Sequence, residues 1–153
     1  MTAYFFDASA TVKGYVAERG SSAVAQILDG GTDHELHLGR VGVVEVFAAL
    51  YRRGAVAGVD AEEISSAAVR LREDVRDLYS VVEFSVATAE RAVEVAERHR
   101  LRAYDCLQLA TALKLQEQRA AFGFSPLVLV SSDRELNAAA YSEGMIVEDP
   151  AAP

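Results

Sequence analysis

Two tetrapeptides constrain this chain more than anything else in it. Ala3–Phe6 (AYFF) and Leu127–Val130 (LVLV) are apolar throughout, without polar alternation. A strand with one wet face alternates apolar and polar residues; a strand covered on both faces does not. Runs of this kind require helices on both sides of the sheet that contains them. Three further strand-like segments, Glu35–Leu38, Val81–Phe84 and Met145–Val147, are separated by stretches with helical periodicity. Ser21–Leu28 carries Val24, Ile27 and Leu28, and Val41–Arg53 carries Val44, Phe47, Ala48 and Tyr51. Ala61–Leu78 puts Ile64, Ala68, Leu71 and Val75 on one face, and Ala87–Arg98, Ala103–Arg119 and Asp133–Glu143 follow similar patterns. Strands alternating with helices predict an α/β domain with a largely parallel sheet.

A length of 153 residues fits one domain, expected over residues 1–150 with 151–153 as a short tail. Cys106 is the only cysteine, so no disulfide forms within the chain and a reducing compartment is expected. No segment reaches bilayer length, and the opening apolar run is short, lacks preceding basic residues and ends in an acid. The expected location is the cytoplasm, without membrane contact. The net charge of −8 argues against a protein that coats nucleic acid. It leaves room for an enzyme that touches phosphates through local basic residues, the candidates being Lys13, Arg40, Arg52, Arg53, Arg98, Arg100, Arg102 and Arg134.

Four acids stand inside the apolar segments: Asp7 in YFFDASA, Glu45 in VGVVEVFAAL, Asp105 in RAYDCLQLATAL and Asp133 after LVLVSS. Burying a carboxylate is costly unless its charge is compensated. Each acid also has a local explanation. Asp7 suits a helix N-cap for the segment from Ala8. Asp105 suits a first helical turn. Asp133 suits the first turn of a helix whose capping box is Ser132 and Glu135. Glu45 is the least easily explained, because it shares a helix face with Val41, Ala48 and Ala49 and lies beyond the first turn, although a long side chain at the stripe edge can reach solvent or an arginine.

The conjunction of the four is more telling than any one. Two acids follow strands, where an open parallel sheet binds ligands, and two lie on helices that can flank that edge. At contact distance two such charges repel by about 4 kcal/mol at an effective dielectric of 20. A divalent cation relieves that repulsion. Oxygen ligands without clustered cysteine or histidine point to magnesium or manganese rather than zinc. His34, His37 and His99 are scattered among charged residues and read as surface positions. Cys106 reads as a small packing residue.

These motifs together resemble the PIN-domain proteins, and more narrowly the VapC-type toxins of bacterial toxin–antitoxin pairs. YFFDASATVKGYVAERGS resembles the family's first strand, acid and following helix. VVEVFAALYRRG, LRAYDCLQLATAL and LVLVSSDRELNAAAYSEGMIVEDP resemble its second, third and fourth motifs, in order and nearly end to end. The resemblance implies a three-layer α/β fold with a central five-stranded, mainly parallel sheet flanked by helices, and a magnesium- or manganese-dependent endoribonuclease with Asp7, Glu45, Asp105 and Asp133 as its four acids. Asp7, Asp105 and Asp133 would hold the metal, and Glu45 would ligate it or orient the attacking water. Ser131 and Ser132 match small hydroxyl residues that orient the last acid. The resemblance further implies an RNA substrate, a cognate antitoxin and a homodimer. One departure stands out: Gly39 occupies a position where many relatives carry Ser or Thr, which removes a hydrogen bond near Glu45. Arg40 beside it is a candidate contact for phosphate or antitoxin. Two other readings remain open: a PIN-like binding module acting through a protein partner, and a metal-dependent phosphatase or DNase using the same pocket.

Overall fold

The computed structural model describes residues 1–153. Five strands, β1 (Thr2–Phe6), β2 (His34–Gly39), β3 (Ser80–Val82), β4 (Leu127–Val130) and β5 (Ile146–Glu148), form one sheet in the order β3-β2-β1-β4-β5. Every neighbouring pair is parallel. Seven α-helices connect and cover it: α1 (Ala8–Thr11), α2 (Ser21–Leu28), α3 (Arg40–Gly54), α4 (Ala61–Asp77), α5 (Val86–His99), α6 (Ala103–Ala121) and α7 (Arg134–Ser142).

The two apolar runs explain the layering. Successive strand residues point to opposite faces. Ala3 and Phe5 of β1, with Leu127 and Leu129 of β4, pack against Val95, Leu109 and Leu136 from α5, α6 and α7. Phe6 and Val130 point the other way, into a core with Val24, Val46, Leu50, Ile64 and Leu71 from α2, α3 and α4. β1 and β4 are thus buried on both faces, and the expected three-layer α/β architecture is what the chain adopts.

The edge elements depart from the sequence reading by small, explicable amounts. β3 is Ser80–Val82 rather than Val81–Phe84. It pairs with only three residues of β2, and Phe84 lies outside the strand, 48% exposed, just before Ser85 caps α5 by accepting from the Thr88 amide. β5 begins at Ile146 rather than Met145. Gly144, with φ +84°, closes α7: its amide donates to Tyr141 and the Met145 amide to Ala140, so Met145 belongs to the helix end. Asp133 is itself the N-cap of α7, accepting from Leu136 N at 2.9 Å. Ser132 does not cap, because its hydroxyl donates to Asp149 Oδ1 at 2.8 Å.

Candidate active site

The chain runs outward from the central strand β1 to β2 and β3, then crosses back to β4 on the other side. That reversal opens a crevice at the carboxyl ends of β1 and β4, the usual ligand position in an open parallel sheet. Asp7 follows β1 directly, and its amide donates to Val130 O of β4 at 3.1 Å. Its carboxylate is nearly buried, 5% exposed, and caps α1: Oδ1 accepts from Ala10 N at 3.0 Å and from Ser9 Oγ at 2.7 Å. Capping and a place in the crevice are therefore compatible for this residue.

Asp133 reaches the same crevice from the end of β4, with its amide bonded to Ser131 Oγ at 3.1 Å. Ser131 is fully buried, and its hydroxyl lies close enough to Asp7 to favour that carboxylate's charged form. Glu45 comes from the second turn of α3 and Asp105 from the first turn of α6. Both are half-buried.

The mutual influence of these groups defines their arrangement. Asp7 is pushed up to about 6, chiefly by burial; Ser9, Ala10 and Ser131 oppose this and the charge of Asp133 adds to it. Glu45 is pushed up to about 7 by burial and then by the charges of Asp7 and Asp105. Asp105 is raised by burial, then by Asp133, with Arg102 opposing. The neighbour relations Asp7–Glu45, Glu45–Asp105, Asp105–Asp133 and Asp133–Asp7 close a ring. Glu45 feels the charges of both Asp7 and Asp105, as a member of a shared acidic centre would.

No three acidic, histidine or cysteine side chains stand close enough together to chelate an ion as they are. A hard cation at this centre would be held directly by one or two of the carboxylates and through water by the others. That is the usual mode for magnesium, which gives up its water reluctantly.

Beside Glu45 a groove of ≈ 740 Å³ runs between α1 and α3, with Val12, Val41 and Val44 on its walls and Ser9, Arg52 and Tyr104 at its polar points. The description "PIN domain" belongs to the family model that matches residues 4–140. This chain is a member of the PIN-domain family. It is 33% identical over 147 residues to Ribonuclease VapC45 of Mycobacterium tuberculosis (strain CDC 1551 / Oshkosh), covering 94% of this chain and 93% of that one. Among solved structures, PAE2754 from Pyrobaculum aerophilum superposes with a TM-score of 0.62 at 26% identity, covering 95% of this chain and 89% of that one. A toxin–antitoxin complex from Klebsiella pneumoniae contains a chain with a TM-score of 0.62 at 17% identity, covering 96% and 97%, a likeness of fold.

Two contributors to the acidic centre of this PIN domain escape a reading of the sequence. Ser9 Oγ donates to Asp7 and accepts from Ser132 N at 2.9 Å, so one hydroxyl ties the loop after β1 to the loop after β4. Gln108, 2% exposed on α6, donates from Nε2 to Glu45 Oε1 at 3.2 Å. The sequence signal for Gln108 is a polar residue among LQLATAL, one turn after Asp105.

The histidines are not surface residues as the sequence suggested. His37 is buried because β2 is covered on both faces, and that burial lowers its pKa. His34 packs edge-on against Tyr4 with ring centroids 5.0 Å apart, and His99 pairs with Glu143 at 2.7 Å. Cys106 is buried, as a packing residue should be. Of the basic candidates, Lys13 and Arg53 are held by Glu18, Arg40 by Glu83 and Arg98 by Glu143. Arg52, Arg100, Arg102 and Arg134 are exposed, and of the eight only Arg52 lines the groove. No helix is long and apolar enough to cross a membrane.

Proposed function

We propose that this PIN-domain protein is a magnesium- or manganese-dependent endoribonuclease, the toxin of a toxin–antitoxin pair acting in the cytoplasm. The observation that carries the reading is the closed ring of four carboxylates at the switch point of the sheet, two of them held at about 6 and about 7. The relative at 33% identity is named a ribonuclease and is matched over nearly its whole length, which favours RNA over other phosphodiesters and phosphate monoesters.

In this reading Asp7, Asp105 and Asp133 hold the cation, directly or through water. Such an ion, when bound, makes water more acidic and offsets charge on the phosphodiester. Ser9, Ala10 and Ser131 fix the Asp7 carboxylate, and the Ser131 hydroxyl fixes the backbone that carries Asp133. Glu45 orients the attacking water and accepts its proton as a general base. Arg52, beside Glu45 in the groove, meets the RNA phosphate. Val44 and Tyr104, 65% and 61% exposed at the same groove, offer apolar surface to an antitoxin segment that covers the centre. A homodimer completes the proposal.

The test uses antitoxin-free protein with a broad panel of structured RNAs and manganese, with and without chelator. Metal-dependent cleavage is expected, abolished by Asp7→Asn or Asp105→Asn in proteins that remain folded. Absence of cleavage across the panel would favour a binding module, and equal action on DNA or a phosphate monoester would remove the RNA assignment.

A further inference from the structure

Gln108 is buried in the apolar interior of α6, yet its two amide ends are treated very differently. Nε2 reaches Glu45 at 3.2 Å, while Oε1 has no hydrogen-bond partner at all. A buried carbonyl without a partner is destabilising, and an apolar side chain of the same shape would avoid it. A glutamine kept only for packing is therefore a poor solution at this position. With Glu45 charged, the amide atom facing it is the donor, and Nε2 is the atom that faces it.

The facing segment, from the end of β2 into the first turn of α3, is cut away to admit this side chain. A Cβ at Gly39 would stand 2.9 Å from Gln108 Oε1, and one at Gly42 would stand 2.5 Å from Gln108 Nε2. Neither glycine has a left-handed backbone, so conformational freedom does not account for them. Gly42 lies inside α3, where glycine weakens a helix relative to alanine. What the two glycines share is the space taken by the Gln108 amide.

We infer that Gln108 is the positioning residue for Glu45, reaching it through a slot that Gly39 and Gly42 leave open. It holds the carboxylate toward Asp7 and Asp105 without touching substrate. The role of Glu45 in the reaction rests on the ribonuclease reading above; the contact itself does not.

Two independent measurements test this. The first is RNA cleavage kinetics with manganese for wild type, Gln108→Met, Gly42→Ala and the double variant. Loss of a residue that orients a metal-site group lowers activity about 10–100-fold. Gln108→Met is expected to lower kcat by that factor, with the KM for RNA within twofold of wild type. Gly42→Ala should lower kcat in the same direction despite better helix propensity, because its methyl displaces the amide. The double variant should be no slower than Gln108→Met alone. Wild-type kcat in Gln108→Met, a change confined to KM, or additive losses would overturn the inference. Should Gln108→Met fold poorly in a thermal melt, Gly42→Ala decides the kinetic arm. The second measurement is NMR of the Gln108 side-chain amide in metal-free protein, expected to shift on Glu45→Gln. An unmoved resonance refutes the contact whatever the enzyme does. Failure of wild type to cleave any RNA would remove the ribonuclease reading while the NMR result still decides whether Gln108 positions Glu45.

Discussion

Replacing Asp7 by asparagine is expected to make the metal-free protein more stable, by an amount that depends on pH. The carboxyl of Asp7 is raised from 3.8 to about 6, mainly by burial. The folded state therefore binds more protons than the unfolded state between about pH 4 and 7, and stability falls as pH rises through that window. Above pH 7 the full penalty applies. A shift of roughly two units is worth about 3 kcal/mol. Asparagine keeps an Oδ1 that can accept from Ser9 and Ala10, so the bonds at 2.7 and 3.0 Å survive while the charge is removed. For a chain of this length each kcal/mol moves the melting temperature by about 2–4 °C, so a gain of roughly 6–12 °C is expected at pH 8 in chelator. At pH 4 the gain should nearly vanish. Saturating manganese should narrow or reverse the order, because an ion that binds only the folded wild type stabilises it by mass action. Calorimetry of both proteins from pH 4 to 8, with chelator and with manganese, decides the matter. An Asp7→Asn variant that is less stable than wild type at pH 8 in chelator, or a difference independent of pH, would refute the claim that Asp7 carries an uncompensated buried charge.

Other perturbations separate the parts of the centre. Asp105→Asn should lower metal-dependent cleavage by about 10²–10³-fold, as removal of an electrostatic group at a reacting centre does. Its metal-free melting temperature should not fall, because burial and Asp133 already disfavour the charge at position 105. Ser9→Ala removes a donor to Asp7 and the acceptor of Ser132 N, a loss of about 1–3 kcal/mol by denaturant titration. Because the lost bond favours the charged form of Asp7, the destabilisation should be larger at pH 8 than at pH 5. Arg52→Ala should raise the KM for RNA with kcat unchanged, and should flatten the slope of log KM against log salt by about 0.7, one single-strand phosphate contact.

The fold was readable because its two central strands are unusual. AYFF and LVLV carry no polar alternation, and that alone demands two helical layers. The structure places their side chains in two separate cores, as the pleat requires. Legibility failed where the physics is local rather than periodic. β3 stops at Val82 because Ser85 is needed as a cap, and β5 starts late because Met145 closes a helix. Apolar pattern cannot distinguish Phe84 or Met145 from strand residues, since both are apolar in either role. His37 was misread for a related reason: its charged sequence neighbour Glu35 is turned to Arg119 at 2.6 Å while staying within 3.6 Å of His37 Nε2, and β2 is covered on both faces.

The acidic centre shows the same division more sharply. Asp7, Asp105 and Asp133 were ambiguous because each satisfies a local rule for helix starts, and in the structure Asp7 and Asp133 do cap helices while facing one another's charge. Caps at the carboxyl edge of a parallel sheet necessarily aim toward the crevice, so the local and collective explanations coincide. Glu45 was different, since no capping rule accounts for an acid in the second turn of a helix. What compensates it was invisible for a matching reason. Gln108 sits on a different helix, 63 positions later, and a glutamine among leucines and alanines carries no periodic signal. Its counterpart in the sequence is an absence of side chains, Gly39 and Gly42, three apart at the start of α3. A pair of glycines opening a helix is read by default as flexibility or a turn. Only the facing side chain reveals it as a slot. The centre is thus legible to the extent that a charge betrays itself against an apolar background, and illegible where the supporting group is neutral and its socket is made of hydrogen atoms.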